Sequence, residues 1–307
     1  MHITYPGTSR ERLDKFLHAA YPNLSRSQIQ KFIEQNAVLV NGKTPAIHHW
    51  LKSGDSIDLP REPYAAQREI IRRTTAEPRI VDQHDSFAVI EKPAGLLMHP
   101  TDRQEPDTLA QWLIKTFPAI RAIGDDPSRP GIVHRLDRDV GGLVLITLTQ
   151  PAFIYFKGQF KNHDITKKYR CLVHGVIQAD SGAIDTPIDR NKKSGKMIAQ
   201  TDRASGKNAL TIYRIVERFR NHTLLDVEIL TGRTHQIRTH LFSIGHSIVG
   251  DTLYQTRDIR KRKRLTPLLT RPFLFAYYLS FVDPDGQTRE YTLELPNQFT
   301  ELLKTLS

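Results

Sequence analysis

Along the first sixty residues, apolar side chains return first at helical and then at strand intervals. Leu13, Phe16, Leu17 and Ala20 share one face of a helix, and Ile29, Phe32 and Ile33 share one face of a second. Ser25 followed three residues later by Gln28 predicts the start of that second helix, because the pair satisfies exposed backbone donors reciprocally. AVLV then runs into Asn41-Gly42, which accepts the positive φ angles of a tight turn. Ser53-Gly54-Asp55 leads into a short alternating strand around Ile57 and Leu59. From Pro60 to about Pro78 the chain is polar and without a period, and reads as a linker.

Beyond the linker, strand signals dominate. They cover Phe87–Glu91, Leu143–Leu148, Lys168–Ile177, Leu210–Phe219, Leu224–Thr231, Phe273–Phe281 and Glu290–Leu295. One intervening helix carries Phe153, Phe156 and Phe160, a second follows Thr234, and a last one places Phe299, Leu302, Leu303 and Leu306 at helical spacing. Runs of strands with scattered helices and no βαβ alternation predict an α+β domain built on a large, mostly antiparallel mixed sheet with flanking helices. The predicted organisation is a small α+β unit over 1–62, a linker over 63–77 and the large domain over 78–307.

Composition narrows the setting. Apolar residues make up 39% of the 307 and charged residues 25%, enough to bury a core and to exclude disorder as the main state. The longest dense apolar run, Gly142 to Leu148, falls far short of the roughly 20 residues of a membrane helix. MHITYPGTSR has no apolar h-region, and Cys171 is the only cysteine, which excludes an internal disulfide and a cysteine-rich zinc site. A cytoplasmic, monomeric protein without a membrane partner is expected. The net charge of +11 suits either solubility or a polyanionic partner such as nucleic acid. Arg10, Arg12, Lys15, Arg26 and Lys31 are expected on the polar sides of the two front helices. Yet residues 1–62 carry eight basic against six acidic side chains, a net of +2, leaving +9 for the rest of the chain.

No Gly-rich phosphate loop, dinucleotide fingerprint, His-Glu-x-x-His or nucleophile elbow occurs, so no nucleotide or metal cofactor is expected. Three segments combine glycine punctuation with charge. Glu91-Lys92-Pro93-Ala94-Gly95 reads as an ordinary turn. Gly131-IVHRLDRDVGG-LVLITL sets His134, Arg135, Asp137, Arg138 and Asp139 beside a buried strand; Asp137 and Asp139 read as a rough acid–base pair. His134 and His99 read as satisfied polar histidines rather than metal ligands, since no set of four ligands is present. In Leu230-TGRTHQIRTHLFSIGHSIVGDTLY, Arg233, His235, Arg238 and His240 crowd a strand-to-helix junction. Arg238 reads either as a structural bridge to carbonyls or as the partner that keeps a semi-buried aspartate ionised.

RLDKFL…NLSRSQIQKFIEQNAVLVNGK…LKSGDSIDL resembles the alpha-L RNA-binding fold, which implies a basic helical face laid on structured RNA. In the rest of the chain Val89-IEKPAGLLMHP, His134-Arg135-Leu136-Asp137, Lys167 and Tyr169 in ITKKYRCLVHG, Gly182-AIDTPIDR, Ser205-GKNALTIYRI, TGRTHQIRTHL…GHSIVGDTLY and RPFLFAYYLSFVDPDG follow in order. This ordered set, over roughly residues 80–300, resembles the RluA family of pseudouridine synthases.

The resemblance implies an enzyme that isomerises selected uridines in RNA, most of all large-subunit (23S) ribosomal RNA, with transfer RNA as the alternative. It implies Asp137 as the catalytic aspartate, Tyr169 stacked on the uracil, Arg238 paired with Asp137, and Arg135 filling the gap left by a flipped nucleotide. His134, Lys167, Arg233, His235 and Gln236 would line the substrate. Phosphate contacts would come from two basic loops, Arg190, Lys192, Lys193 and Lys196 in one and Arg260-Lys261-Arg262-Lys263-Arg264 in the other. The chain departs from the family pattern at Val140-Gly141-Gly142 in place of Thr-Ser-Gly, at Leu148 for Lys, at Ser247 for Pro and at Phe275 for His. A non-catalytic RNA-binding or ribosome-assembly protein on the same scaffold is the competing reading. An RNA glycosidase or nuclease using Asp137 and Asp139 is a third.

Overall fold

The computed structural model describes residues 2–7, 10–21, 29–30, 33, 38–46, 48–59, 76–101, 105–191, 194–200, 205–256, 258–259, 269 and 271–306. The chain divides into two units, Met1–Arg73 and Thr74–Ser307. Most of the expected linker lies outside the described residues, as do Ser25 and Gln28 of the expected capping pair.

In the front unit, β5 (Ser56–Asp58) lies between β1 (His2–Thr4) and β3 (Leu39–Val40), while β2 (Glu11–Arg12) pairs with β4 (Trp50–Leu51). Helix α1 (Leu13–Ala20) drives Leu13 and Leu17 fully into a core with Ile29, Ile33, Leu51 and Ile57. Each such side chain contributes about 1.5–3 kcal/mol by leaving water. Phe16 is half-buried, edge-on to Tyr5 at 5.3 Å, and Ala20 is exposed rather than part of the core. Asn41 and Gly42 take φ values of 50° and 72°, the turn expected of that pair.

Two basic positions differ from expectation. The helix begins only at Leu13, so Arg10 and Arg12 precede it instead of lying on its polar side. Arg12 is spent within the unit: Nε and Nη2 donate to the buried Asp14 at 2.9 and 2.7 Å. Arg10 stays exposed.

The larger unit is one nine-stranded sheet. Its strands are β6 (Arg79–Gln83), β7 (Phe87–Lys92), β8 (Gly141–Thr147), β9 (Thr166–His174), β10 (Ser181–Asp185), β13 (Leu210–Arg218), β14 (His222–Ile229), β15 (Leu274–Val282) and β16 (Thr288–Thr292). The order is β10-β13-β14-β9-β15-β8-β7-β6, with β16 on β15. Every pairing is antiparallel except β15 with β8. A separate hairpin joins β11 (Ile188–Arg190) to β12 (Met197–Ala199).

Strand alternation sorts the core onto two faces. Ala88, Ile90, Val144, Ile146, Cys171 and Val173 bury on one face; Phe87, Val89, Leu143 and Leu145 bury on the other. The second face is covered by α3 (Gln150–Asn162), where Phe156 is fully buried. Thr149 caps that helix by accepting from the Ala152 N–H. The first face carries Tyr169 and takes α2 (Leu109–Thr116), whose Leu109 and Leu113 are fully buried. Helix α2 lies outside the elements predicted above, although Thr108 caps it and two leucines stand four apart. Helices α4 (Gln236–Ser243) and α5 (Asn297–Lys304) complete the unit.

Two departures from the family pattern meet at the one parallel pairing. Phe275 is the register partner of Gly141, and a Cβ on Gly141 would stand 3.4 Å from the Phe275 ring. Gly142, at φ +124°, lies so close to β15 that a Cβ would come within 2.1 Å of the Ala276 carbonyl oxygen. Only glycine fits there.

Candidate active site

Asp137 sits in the loop that enters β8, and that loop is anchored from below. Gly95 N–H donates to the Arg138 carbonyl at 2.7 Å, and Val140 N–H to the Asp137 carbonyl at 3.1 Å. Lys92 is fully buried, and its Nζ donates to the carbonyls of Leu96 (2.9 Å), Pro93 (2.9 Å) and Arg138 (3.2 Å). Three acceptors use all three protons of an ammonium. Burial opposes that charge and pulls the Lys92 pKa down to about 7 against the support of Asp137 and Asp139. The segment read as an ordinary Pro-Gly turn is therefore the brace of the Asp137 loop.

Arg238, on α4, faces two carboxylates. Its Nε and Nη2 donate to Oδ2 and Oδ1 of Asp251 at 2.7 and 3.0 Å, which leaves Nη1 aimed at Oδ2 of Asp137, 3.0 Å away. Asp251 is completely buried and also accepts from the backbone N–H of Leu253 and Tyr254. Burial works against the guanidinium charge, but Asp251 and then Asp137 outweigh it and hold the Arg238 pKa above its ordinary value. The Tyr254 ring lies 5.2 Å from the guanidinium carbon, and its hydroxyl is 3.0 Å from Nδ1 of His235. His235, in the left-handed region at φ 55°, brings Nε2 to 3.9 Å from Asp137 Oδ2. Burial lowers the His235 pKa, opposed by Asp137.

Asp137 and Arg238 line a cavity of 50 Å³ whose other walls include Tyr169, Arg135, Val140 and His235. Tyr169 is buried, and desolvation followed by the charge of Asp137 pushes its phenol pKa up. The ring thus offers an apolar face and a neutral hydroxyl. A carboxylate held by one Nη beside an aromatic wall is suited to nucleophilic or proton-transfer chemistry on a planar substrate. Among the described residues, no group of three or more His, Cys, Asp and Glu side chains is placed to hold a metal ion, and no helix is long and apolar enough to cross a membrane.

The model of the family described as RNA pseudouridylate synthase matches residues 86–243, and that of the S4 domain matches residues 11–44. An RNA pseudouridine synthase of Aquifex aeolicus is 37% identical over 306 residues, covering 96% of this chain and 94% of the relative. The ribosomal large subunit pseudouridine synthase D of Pasteurella multocida is 34% identical over 314 residues, covering 96% and 91%. The chain belongs to the RNA pseudouridylate synthase family. It is an RNA pseudouridine synthase with an N-terminal S4 domain. The fold agrees: human RNA pseudouridylate synthase domain containing 4 superposes with a TM-score of 0.57 at 21% identity, over 79% of this chain and 95% of that one.

Within this synthase, the residues singled out from sequence do not all reach the cleft in the same way. Asp137, Tyr169, Arg238, Arg135, Arg233 and His235 line one cavity. Gln236 also borders it, yet its amide is used up internally: Oε1 accepts from the Thr231 hydroxyl and the Arg233 N–H, and Nε2 donates to the Leu210 carbonyl and the Thr211 hydroxyl. It shapes the loop rather than presenting a free group to substrate. Asp139 stands 3.5 Å from Nε of Arg138. Arg190 is exposed on the β11–β12 hairpin. Arg26, Lys31, Lys192, Lys193, Arg260, Lys261 and Arg262 lie outside the described residues. Asp251 and Tyr254 were missed, although Gly250-Asp251-Thr252-Leu253-Tyr254 closes the very motif that carries Arg238.

His134 borders a cavity beside Tyr169 and is itself fixed within the fold. Its Nε2 accepts from the Leu145 N–H at 2.8 Å, and its ring stacks on Phe160 at 4.6 Å, so the imidazole braces β8. Burial, then the charge of Lys167, lowers its pKa to about 3. An unfolded chain binds this proton near pH 6.5, so stability is fully present above that pH and is lost as pH falls toward 3. Denaturant unfolding at pH 5 and pH 7 is expected to show wild type losing about 2 kcal/mol more than His134→Gln. Parallel losses in both proteins would remove this assignment.

Proposed function

We propose that this synthase isomerises a uridine of large-subunit ribosomal RNA, with Asp137 as the reacting carboxylate and no cofactor. The observation that carries the reading is the Asp251–Arg238–Asp137 chain, which presents one carboxylate, Asp137, to a cleft walled by Tyr169. The reaction breaks the bond from ribose C1′ to base N1 and joins C1′ to C5 of the same uracil. N1 gains a proton and C5 loses one, so no electrons leave the substrate and none are supplied. A carboxylate that attacks or deprotonates, a platform that retains the detached base and a guanidinium that orients the carboxylate meet those needs.

The target atom is hidden in a stacked helix, so the nucleotide is flipped into the cleft at a cost of a few kcal/mol. Arg135, exposed beside the Asp137 cavity, fills the gap in the RNA. Tyr169 serves as the platform; its raised pKa disfavours the tyrosinate that a base would need. The ribosomal target is supported by the ribosomal large subunit synthase D relatives, matched over 91% and 84% of their length. Pseudouridine mapping in RNA from cells lacking the protein, with and without a plasmid copy, tests this. Loss of one or more large-subunit sites, restored by the plasmid, is expected; loss confined to transfer RNA would overturn the ribosomal target.

A further inference from the structure

Beside the Asp137 cavity lies a larger one of 470 Å³, within the roughly 300–1,000 Å³ range of ligand pockets. The two share Tyr169, Arg135 and Arg233 as walls. The larger is lined by five cations, Arg129, Arg135, Lys161, Lys167 and Arg233, and by no carboxylate among the described residues, although Arg129 is paired with Asp126 at 3.0 Å just outside the lining. Ile132, Val133 and Leu230 give it an apolar side.

Lys167 points to the charge of the occupant. Its side chain is only 8% exposed, and its one hydrogen bond among the described residues is a long 3.4 Å to the Ile165 carbonyl. The ammonium also lies 5.1 Å from the Phe160 ring centre. Burial lowers its pKa to about 8, with Glu228 opposing the fall, so it remains mostly charged at neutral pH. A desolvated ammonium with unused donors, in a cavity without acids, is matched by an incoming anion.

We infer that this cavity is a second nucleotide subsite, which takes the phosphate and base of a nucleotide adjoining the target uridine along the RNA strand. It rests on the reading that the uridine occupies the Asp137 cavity. A strand that places one base beside Tyr169 must carry its neighbour past the shared walls, where Lys167 and Lys161 meet the phosphate and Ile132, Val133 and Leu230 meet the base. An acidic protein segment would satisfy the cations but would waste that apolar side.

Lys161 is exposed, so Lys161→Gln is expected to fold as wild type; Lys167→Gln removes the buried ammonium, and its fold is checked by its melting midpoint. Binding of a short oligouridylate, followed against salt, is expected to lose about 0.7 of log–log slope for each cation removed. A large-subunit RNA fragment carrying the mapped uridine is then prepared with single neutral methylphosphonate linkages on either side of it. One such linkage is expected to weaken wild-type binding about tenfold and the Lys161→Gln, Lys167→Gln double variant less than about twofold. An unchanged salt slope, or equal penalties in both proteins, would overturn the subsite, as would competition by polyglutamate but not by oligouridylate. Binding is read independently of turnover. A wild-type enzyme that leaves the fragment unmodified while these binding differences persist would sink the ribosomal target and not the subsite.

Discussion

Asp137→Asn is expected to abolish pseudouridine formation, by on the order of 10⁴-fold or more, while RNA affinity stays within about twofold of wild type. Asn keeps the volume of the side chain and can still accept from Nη1 of Arg238, so the loop held by Lys92 and Gly95 has no reason to move. What disappears is the negative charge that attacks or removes a proton. Arg135, Arg233 and the basic cavity beside Tyr169 are untouched, and these supply the grip on RNA in this reading. Mass-spectrometric counting of pseudouridine, with filter binding on the same RNA, separates the two effects. An Asn variant that retained a tenth of the wild-type rate would show that another group carries the chemistry.

The second large effect is expected at Asp251, which touches no substrate in this reading and acts through Arg238. Asp251 accepts four hydrogen bonds, two from the guanidinium and two from backbone N–H groups, in a place sealed from solvent. In Asp251→Asn, one of the two oxygens becomes an NH₂ that meets a donor instead of accepting from it. Breaking one side of a buried pair costs about 3–5 kcal/mol, so the melting midpoint is expected to fall by on the order of 10 °C. Arg238 also loses the bidentate grip that aims Nη1, so kcat is expected to drop at least about tenfold with little change in KM for RNA. A midpoint within about 2 °C of wild type, or a loss confined to KM, would remove Asp251 from its positioning role.

The elements that repeat with a period were legible before any coordinates. Strand β8 announced itself because Leu143, Val144, Leu145 and Ile146 run together and are buried on both faces, and β9 and β14 because buried Tyr169 and Cys171, and Leu225, Val227 and Ile229, alternate with polar residues. Edge strand β6 did not, since Arg79–Gln83 is mostly exposed and its two apolar residues, Ile80 and Val81, are adjacent rather than alternating. Helix α1 was legible from Leu13 and Leu17, but its start was not. Whether Arg12 lies on a helix face or turns back to Asp14 depends on the pairing of β2 with β4, which is forty residues away in sequence.

The site divides along the same line. His-Arg-Leu-Asp, Lys-x-Tyr and the Arg238 motif are local strings, so their residue types and order were decided by sequence alone, and with them the family and the identity of Asp137 as the candidate carboxylate. Which polar groups remain free was decided only by tertiary structure. His134 is spent on Leu145, Gln236 on Thr231 and Leu210, and Lys92 on three carbonyls, whereas Lys167, among the described residues, keeps donors to spare. A hydrogen bond satisfies whichever partner the packed chain brings within about 3 Å, and that proximity is set by sheet register and loop closure, not by the string of residues that carries the group.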